Sequence, residues 1–235
     1  MRAAILETPG QPFVLADDVE IEEPRAGEVL VRVSHCGVCH SDLSMVNGSF
    51  PGLTPVILGH EAAGTVAAVG EGVTALAPGD RVVLTPTPSC GECYWCVRDE
   101  HSLCADASAI VTSSFPDGST RLSRGGATVY RGVGVGAFAE YVVTQVAGAV
   151  KVPEDTPLDI ACVIGCAMQT GVGAVLNTAG VQPGVKYGRG KQLAIGSHGI
   201  LAARREFLQD GKTFYQVMHF AEISRHEGKR RRVSV

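Results

Sequence analysis

The chain has 235 residues, 45% of them hydrophobic, and a formal charge of −4, which supplies enough apolar material for a sizeable core and points to a globular protein of one large or two small domains. No stretch approaches the roughly 20 apolar residues that cross a bilayer, and the first residues lack the pattern of a secretory signal, so a membrane protein is excluded and a cytoplasmic location is expected. The charge is uneven: residues 1–184 hold 9 Lys and Arg against 20 Asp and Glu, whereas residues 185–235 hold 11 against 4.

Short alternating runs mark the first two-thirds: "EVLVRVSHCG" (28–37), "GTVAAVG" (64–70), "DRVVLTP" (80–86) and "FAEYVV" (138–143), punctuated by turns such as "APGD". This pattern predicts an all-β barrel of short strands. Directly after the first run comes "SHCGVCHSDLS", in which Cys39 offers a thiolate. About twenty residues on, "PVILGHEAAGTVAAVG" places His60 at the end of an apolar run.

Cys90, Cys93, Cys96 and Cys104 follow in "SCGECYWCVRDEHSLC", and four thiolates this close fit one tetrahedral zinc, with Gly91 allowing the tight turn between the first two. Such a closed set leaves no position for a substrate and acts as a structural pin. Two disulfides or an iron–sulfur cluster are the other fillings of four cysteines. The glycines of "RGVGVGAFAEY" lead into a strand rather than opening a helix after one, so they are not a dinucleotide fingerprint.

From Pro157 the texture changes to small apolar residues at helical spacing, "PLDIACVIGCAMQTGVGAVLNTAG", which predicts one or two packed helices ending near Gly180 with Pro183 beyond. Cys166 lies within them. With Cys39 and His60 it is a third candidate for the roughly three protein ligands of an open zinc site, although a lone buried Cys or His is more often a core residue. Cys36 and Cys162 fall in apolar neighbourhoods and read as small buried hydrophobes.

The segments "GVCHSD", "GHEAAGTVAAVGEGV", "PGDRVV", "CGECYWC", "GAFAEYVV" and "GCAMQTGVGAVLNTAGVQPG" together resemble the zinc-containing medium-chain alcohol dehydrogenases, in order and spacing, over residues 1–184. The resemblance implies a fold that is mainly β with some α. A GroES-like catalytic barrel would occupy residues 1–156 and linking helices residues 157–184, with an atypical basic tail over 185–235. It further implies two zinc ions per chain, a catalytic one on Cys39, His60 and Cys166 and a structural one on Cys90, Cys93, Cys96 and Cys104. Glu61 would approach the metal during ligand exchange, Asp42 would accept a hydrogen bond from His60, and the Ser41 hydroxyl would begin a proton relay. Ser44 stands where the family commonly has the next relay histidine. His40 would lie near a cofactor pyrophosphate and Thr170 against the nicotinamide. The expected activity is oxidation of a small alcohol, or reduction of an aldehyde, by hydride transfer to NAD(P).

After "VQPG" the family pattern stops. "VKYGRGKQLAIGSHGILAARREF" offers G-x-G and G-x-x-G but no complete G-x-G-x-x-G after a strand, and the remaining residues are too few for a doubly wound nucleotide domain. The chain is therefore expected to be truncated or altered after about residue 184, lacking a complete Rossmann domain. A non-catalytic zinc-binding fragment is then the alternative to an active enzyme. Helices meant for an absent domain would expose apolar surface, so a homo-oligomer or self-association is expected. Nucleic acid is not an expected partner, because the body is acidic and the terminal "SRHEGKRRRVSV" reads as a solvated end.

Overall fold

The computed structural model describes residues 1–107 and 109–178, together with the backbone of Ala194–Ile195, Leu201–Ala202 and Met218–His219. In chain order come strands β1 (Ala3–Leu6), β2 (Val14–Ala16), β3 (Glu20–Ile21) and β4 (Glu28–Gly37), then helix α1 (His40–Val46). Strands β5 (Val56–Ile57), β6 (Glu61–Val69) and β7 (Arg81–Leu84) follow, then the short helix α2 (Ala109–Thr112). Next are β8 (Leu122–Arg124), β9 (Ala127–Thr128), β10 (Tyr130–Arg131), β11 (Tyr141–Gln145) and β12 (Ala149–Lys151), and finally helices α3 (Leu158–Ala161) and α4 (Ala167–Gly173).

Strands β1 to β12 build three sheets, ordered β10-β5-β1-β2, β11-β4-β6-β7-β12 and β3-β8-β9, with Met218–His219 pairing beside His35 and Cys36 of β4. The fold is mainly β with few helices, its strands β1 to β12 arranged in three sheets, and no doubly wound sheet occurs among the described residues. No single helix among them is long and apolar enough to cross a membrane.

β4 shows how the sequence dictates this packing. Val29, Val31 and Val33 alternate into the core while Arg32 is exposed, as a half-buried strand requires. A register shift between Val33 and His35 then resets the alternation, so that Cys36, three residues after Val33, is also fully buried. The main core joins these side chains to Ile5, Leu6, Ile57, Leu58 and Phe138. A second cluster of Ala63, Val83, Leu158, Ala161 and Cys162 fastens α3 to the middle of the β4-β6-β7 sheet.

One strand starts later than the alternation predicts. In "FAEYVV" the ladder with β4 begins only at Tyr141, because the N–H groups of Ala137 and Phe138 donate instead to the carbonyls of Gly59 and Leu58. The predicted helical stretch is divided into α3, a 3-10 turn over Cys162–Gly165, α4 and a π turn over Ala174–Thr178. The expected helix end at Gly180 and Pro183, and the expectations for 185–235 apart from the backbone segments named above, lie outside the described residues.

Candidate metal centres

Strand register brings the first group of donors together. β4 and β6 are antiparallel, and Gly37, the last residue of β4, is paired with Glu61, the first of β6. The chain leaving β4 toward Cys39 and the chain arriving through His60 are therefore neighbours. A Cβ on Gly37 would stand 2.6 Å from Glu61 Oε2 and 3.2 Å from Glu61 Cβ, so any larger residue here would have to push the Glu61 side chain aside. Gly59, just before His60, has φ +87°, and a Cβ there would meet the Phe138 ring at 2.4 Å.

Cys166 comes from far along the chain, yet it too is placed by a close approach. A Cβ on Gly165 would lie 1.9 Å from the Leu84 carbonyl, so the turn before Cys166 presses backbone to backbone against the end of β7. Gln169 Nε2 donates to the Gly165 carbonyl at 2.7 Å and holds that turn from the first turn of α4. Donor atoms of Cys39, His60, Glu61 and Cys166 consequently all lie within 4.8 Å of one another. The Cys39 and Cys166 sulfurs are 4.0 Å apart. Two thiolates on one tetrahedral zinc, each bonded at about 2.3 Å, would be about 3.8 Å apart, so this donor set fits that ion.

Asp42 locks the arrangement. It is buried, its Oδ2 accepts the Cys39 N–H and its Oδ1 the Gly59 N–H, each at 2.9 Å. The expected partner, His60, has Nδ1 3.3 Å from Asp42 Oδ1, the oxygen that also accepts the Gly59 N–H. Asp42 therefore clamps the backbone of Cys39 and Gly59 and stands against the His60 imidazole.

These charges act on one another. The Cys39 thiol is pulled down to about 2, chiefly by the hydrogen bond from Cys166 and, against burial, by His60. Burial works against a charged His60, yet the Asp42 and Cys39 interactions outweigh it and raise the imidazole to about 10. Burial, then the charge of Cys39, lifts the Glu61 carboxyl to about 7. The Cys166 thiol is held far above its ordinary range by the neighbouring Cys39 and by burial. A cation entering this set would displace protons, as thiolate and imidazole ligands require.

The second group is local. Donor atoms of Cys90, Cys93, Cys96 and Cys104 lie within 4.8 Å, with Cys90 and Cys96 sulfurs 3.9 Å apart. Gly91 takes φ +79°, as the tight turn demands. Backbone N–H groups point at the sulfurs: that of Cys90 at Cys104 Sγ (3.3 Å) and that of Cys93 at Cys90 Sγ (3.4 Å). All eight cysteines are free thiols, so the disulfide alternative is absent from the structure.

The remaining candidates are distributed unequally. Ser41 Oγ is 3.7 Å from Cys39 Sγ and so borders the open cluster. His40 begins α1 on the surface, with Nδ1 3.3 Å from Ser44 Oγ. Thr170 lines an open cleft of about 410 Å³ together with Thr85, Thr87, Ser89 and Gln169. Sequence reasoning missed two positioning residues. Gln169 was visible only as an i, i+4 partner of Gly165, and Gly37 gave no signal before the β4-β6 register was known.

Comparison with known proteins agrees with this architecture. A family model described as the alcohol dehydrogenase GroES-like domain matches residues 25–154. S-(hydroxymethyl)glutathione dehydrogenases of Escherichia coli O157:H7 and Shigella sonnei are 42% identical over 185 residues, covering 78% of this chain and 50% of theirs. Among solved structures, an alcohol dehydrogenase zinc-binding domain protein from Burkholderia ambifaria is 37% identical with a TM-score of 0.73, over 80% of this chain and 52% of its own. Benzyl alcohol dehydrogenase from Acinetobacter calcoaceticus is 32% identical with a TM-score of 0.70, over 77% and 49%. The chain spans about half the length of the curated relatives it matches.

Proposed function

This chain belongs to the zinc-containing medium-chain alcohol dehydrogenases, and on that premise we propose that it serves the interconversion of a small alcohol and its aldehyde or ketone with NAD(P). The observation that carries the reading is the convergence of Cys39, His60, Glu61 and Cys166 from three separate stretches of chain. Cys39, His60 and Cys166 would hold a catalytic zinc, and Cys90, Cys93, Cys96 and Cys104 a structural one. Bound at the open site, zinc would supply Lewis-acid polarisation of the substrate oxygen, and a nicotinamide cofactor would supply the hydride acceptor or donor.

The chain's own groups would do the rest. Asp42 fixes the backbone on both sides of the site. Glu61 is the spare carboxylate that can replace a departing ligand. Ser41, beside Cys39, would accept the substrate's hydroxyl proton as it passes its own hydroxyl proton to water, and Ser44 with His40 gives the same helix a surface imidazole. Thr170 would face the nicotinamide across its cleft. In domain terms, residues 1–156 form the catalytic barrel and 157–184 the link to the cofactor side. The name of the curated relatives makes a hydroxymethyl thiol adduct the first substrate to try, and benzyl alcohol is the second.

A second reading, a non-catalytic zinc-binding chain, is favoured by one feature: the incomplete glycine fingerprint after Gly184. Zinc analysis and equilibrium binding of NADH on the full chain separate the two. Two zinc ions and saturable binding near one NADH per chain are expected for the enzyme. Both zinc ions without NADH binding would leave the second reading.

A further inference from the structure

Away from the thiols, two arginines are buried around one aromatic ring. The guanidinium carbon of Arg131 lies 3.8 Å from the Phe115 ring centre and that of Arg121 4.6 Å from it. Arg121 is fully answered: Nε and Nη2 donate to the two oxygens of Glu28 at 3.1 and 2.6 Å, and Nη2 also reaches Asp117 at 3.0 Å. Arg131 is not. Only 4% exposed, it donates through Nη2 to the Gly134 carbonyl, while its buried Nε and Nη1 have no partner among the described residues.

Both arginines line a small cavity with about 10 Å³ of free space, room for one water-sized particle. Thr120, Tyr141, Val135 and Val142 complete much of its wall, and no carboxylate belongs to it. The deeply buried charges here are two guanidiniums against the single carboxylate of Glu28, since Asp117 is half exposed. The surrounding backbone is strained as well: Ser113, Arg121 and Val133 have φ of 56°, 61° and 51°, unfavourable above all for the β-branched valine.

We propose that this cavity binds one small inorganic anion of halide size, which neutralises the Arg131 guanidinium. Burying an unpaired cation is strongly unfavourable, and an anion in a dry cavity lined by two guanidiniums removes that penalty. Burial, against the opposing charge of Glu28 and with the repulsion of Arg121, pulls the Arg131 guanidinium down to about 9, consistent with a cation short of counter-charge. Arg131 in β10 is paired with Ile57 of β5, three residues before His60.

The test uses the zinc-loaded full chain, melted in sodium bromide or in sodium gluconate at equal ionic strength. The melting midpoint is expected to be several degrees higher in bromide, since gluconate cannot enter the cavity, and Arg131→Met should abolish the difference. Equal midpoints for the original chain in the two salts would overturn the proposal. Should Arg131→Met fail to fold, anomalous diffraction from crystals of the unsubstituted chain in bromide decides. A bromide peak between Arg121 and Arg131 supports the site, whereas a cavity filled by water alone overturns it.

Discussion

Asp42 joins two stretches that no ladder connects, and its loss should therefore act on both. Asp42→Ala leaves the buried N–H groups of Cys39 and Gly59 without acceptors, at a cost of about 3 kcal/mol. It should also weaken zinc binding at the open cluster by roughly 10- to 100-fold, the usual effect of removing a group that orients metal ligands. A urea denaturation curve and a zinc competition assay read the two effects separately, and unchanged zinc affinity would mean that the clamp is structural only. At Asp117 the expectation concerns pH. Hydrogen bonds from Ser119 and the Arg121 guanidinium hold this carboxyl at about 2, below its unfolded value near 4, so its stabilisation is present above about pH 4 and is lost as pH falls toward 2. Because the side chain is half exposed, the effect is about 1 kcal/mol or less, and Asp117→Asn should flatten the melting midpoint across that window. Single residues were legible in proportion to their chemistry. Cys39 and His60 announce themselves as donors, whereas the decisive Gly37 and Gly165 matter only through the atoms a Cβ would strike.

Elements explain why the two thiol groups were unequally readable. The cysteines of residues 90–104 form their cluster within one loop, so spacing alone exposes it. The other cluster depends on the β4-β6 register and on a turn against β7, and sequence pattern predicts neither the bulge after Val33 nor the contact of Gly165 with Leu84. Late entry of β11 into its ladder was hidden for the same reason: alternation continues through Phe138 and Ala139, but the N–H groups of Ala137 and Phe138 are taken by the segment before His60. The loop offers a convenient probe, since Trp95, the chain's single tryptophan, lies within it and packs edge-on against Tyr94 at 5.0 Å. Cys96→Ser is expected to remove one zinc and change Trp95 fluorescence while the far-ultraviolet signal of the sheets persists. Gly165→Ala, by contrast, drives a methyl group into a backbone carbonyl and should cost about 3 kcal/mol or more, read as a lower urea midpoint.

On the whole molecule's surface, the helices after the barrel carry an apolar side chain at every fourth position: Ile160, Ile164, Met168, Val172 and Leu176 are 64%, 41%, 48%, 49% and 50% exposed. So many exposed large apolar side chains in one short stretch are uncommon on a solitary protein, and we expect them to drive self-association and to bind hydrophobic dyes. Sedimentation with Ile164→Ser/Met168→Ser should show a lower average mass than the unsubstituted chain, together with weaker dye fluorescence. A monomeric chain that binds no dye would refute this. The two thiol clusters differ finally in how they can be inherited. A ligand set carried entirely by one loop can be gained, lost or moved between proteins by a single insertion or deletion, leaving the sheets intact. The set drawn from Cys39, His60, Glu61 and Cys166 has no such portability, because its donors come from three separate stretches of chain and no single insertion or deletion could carry them together.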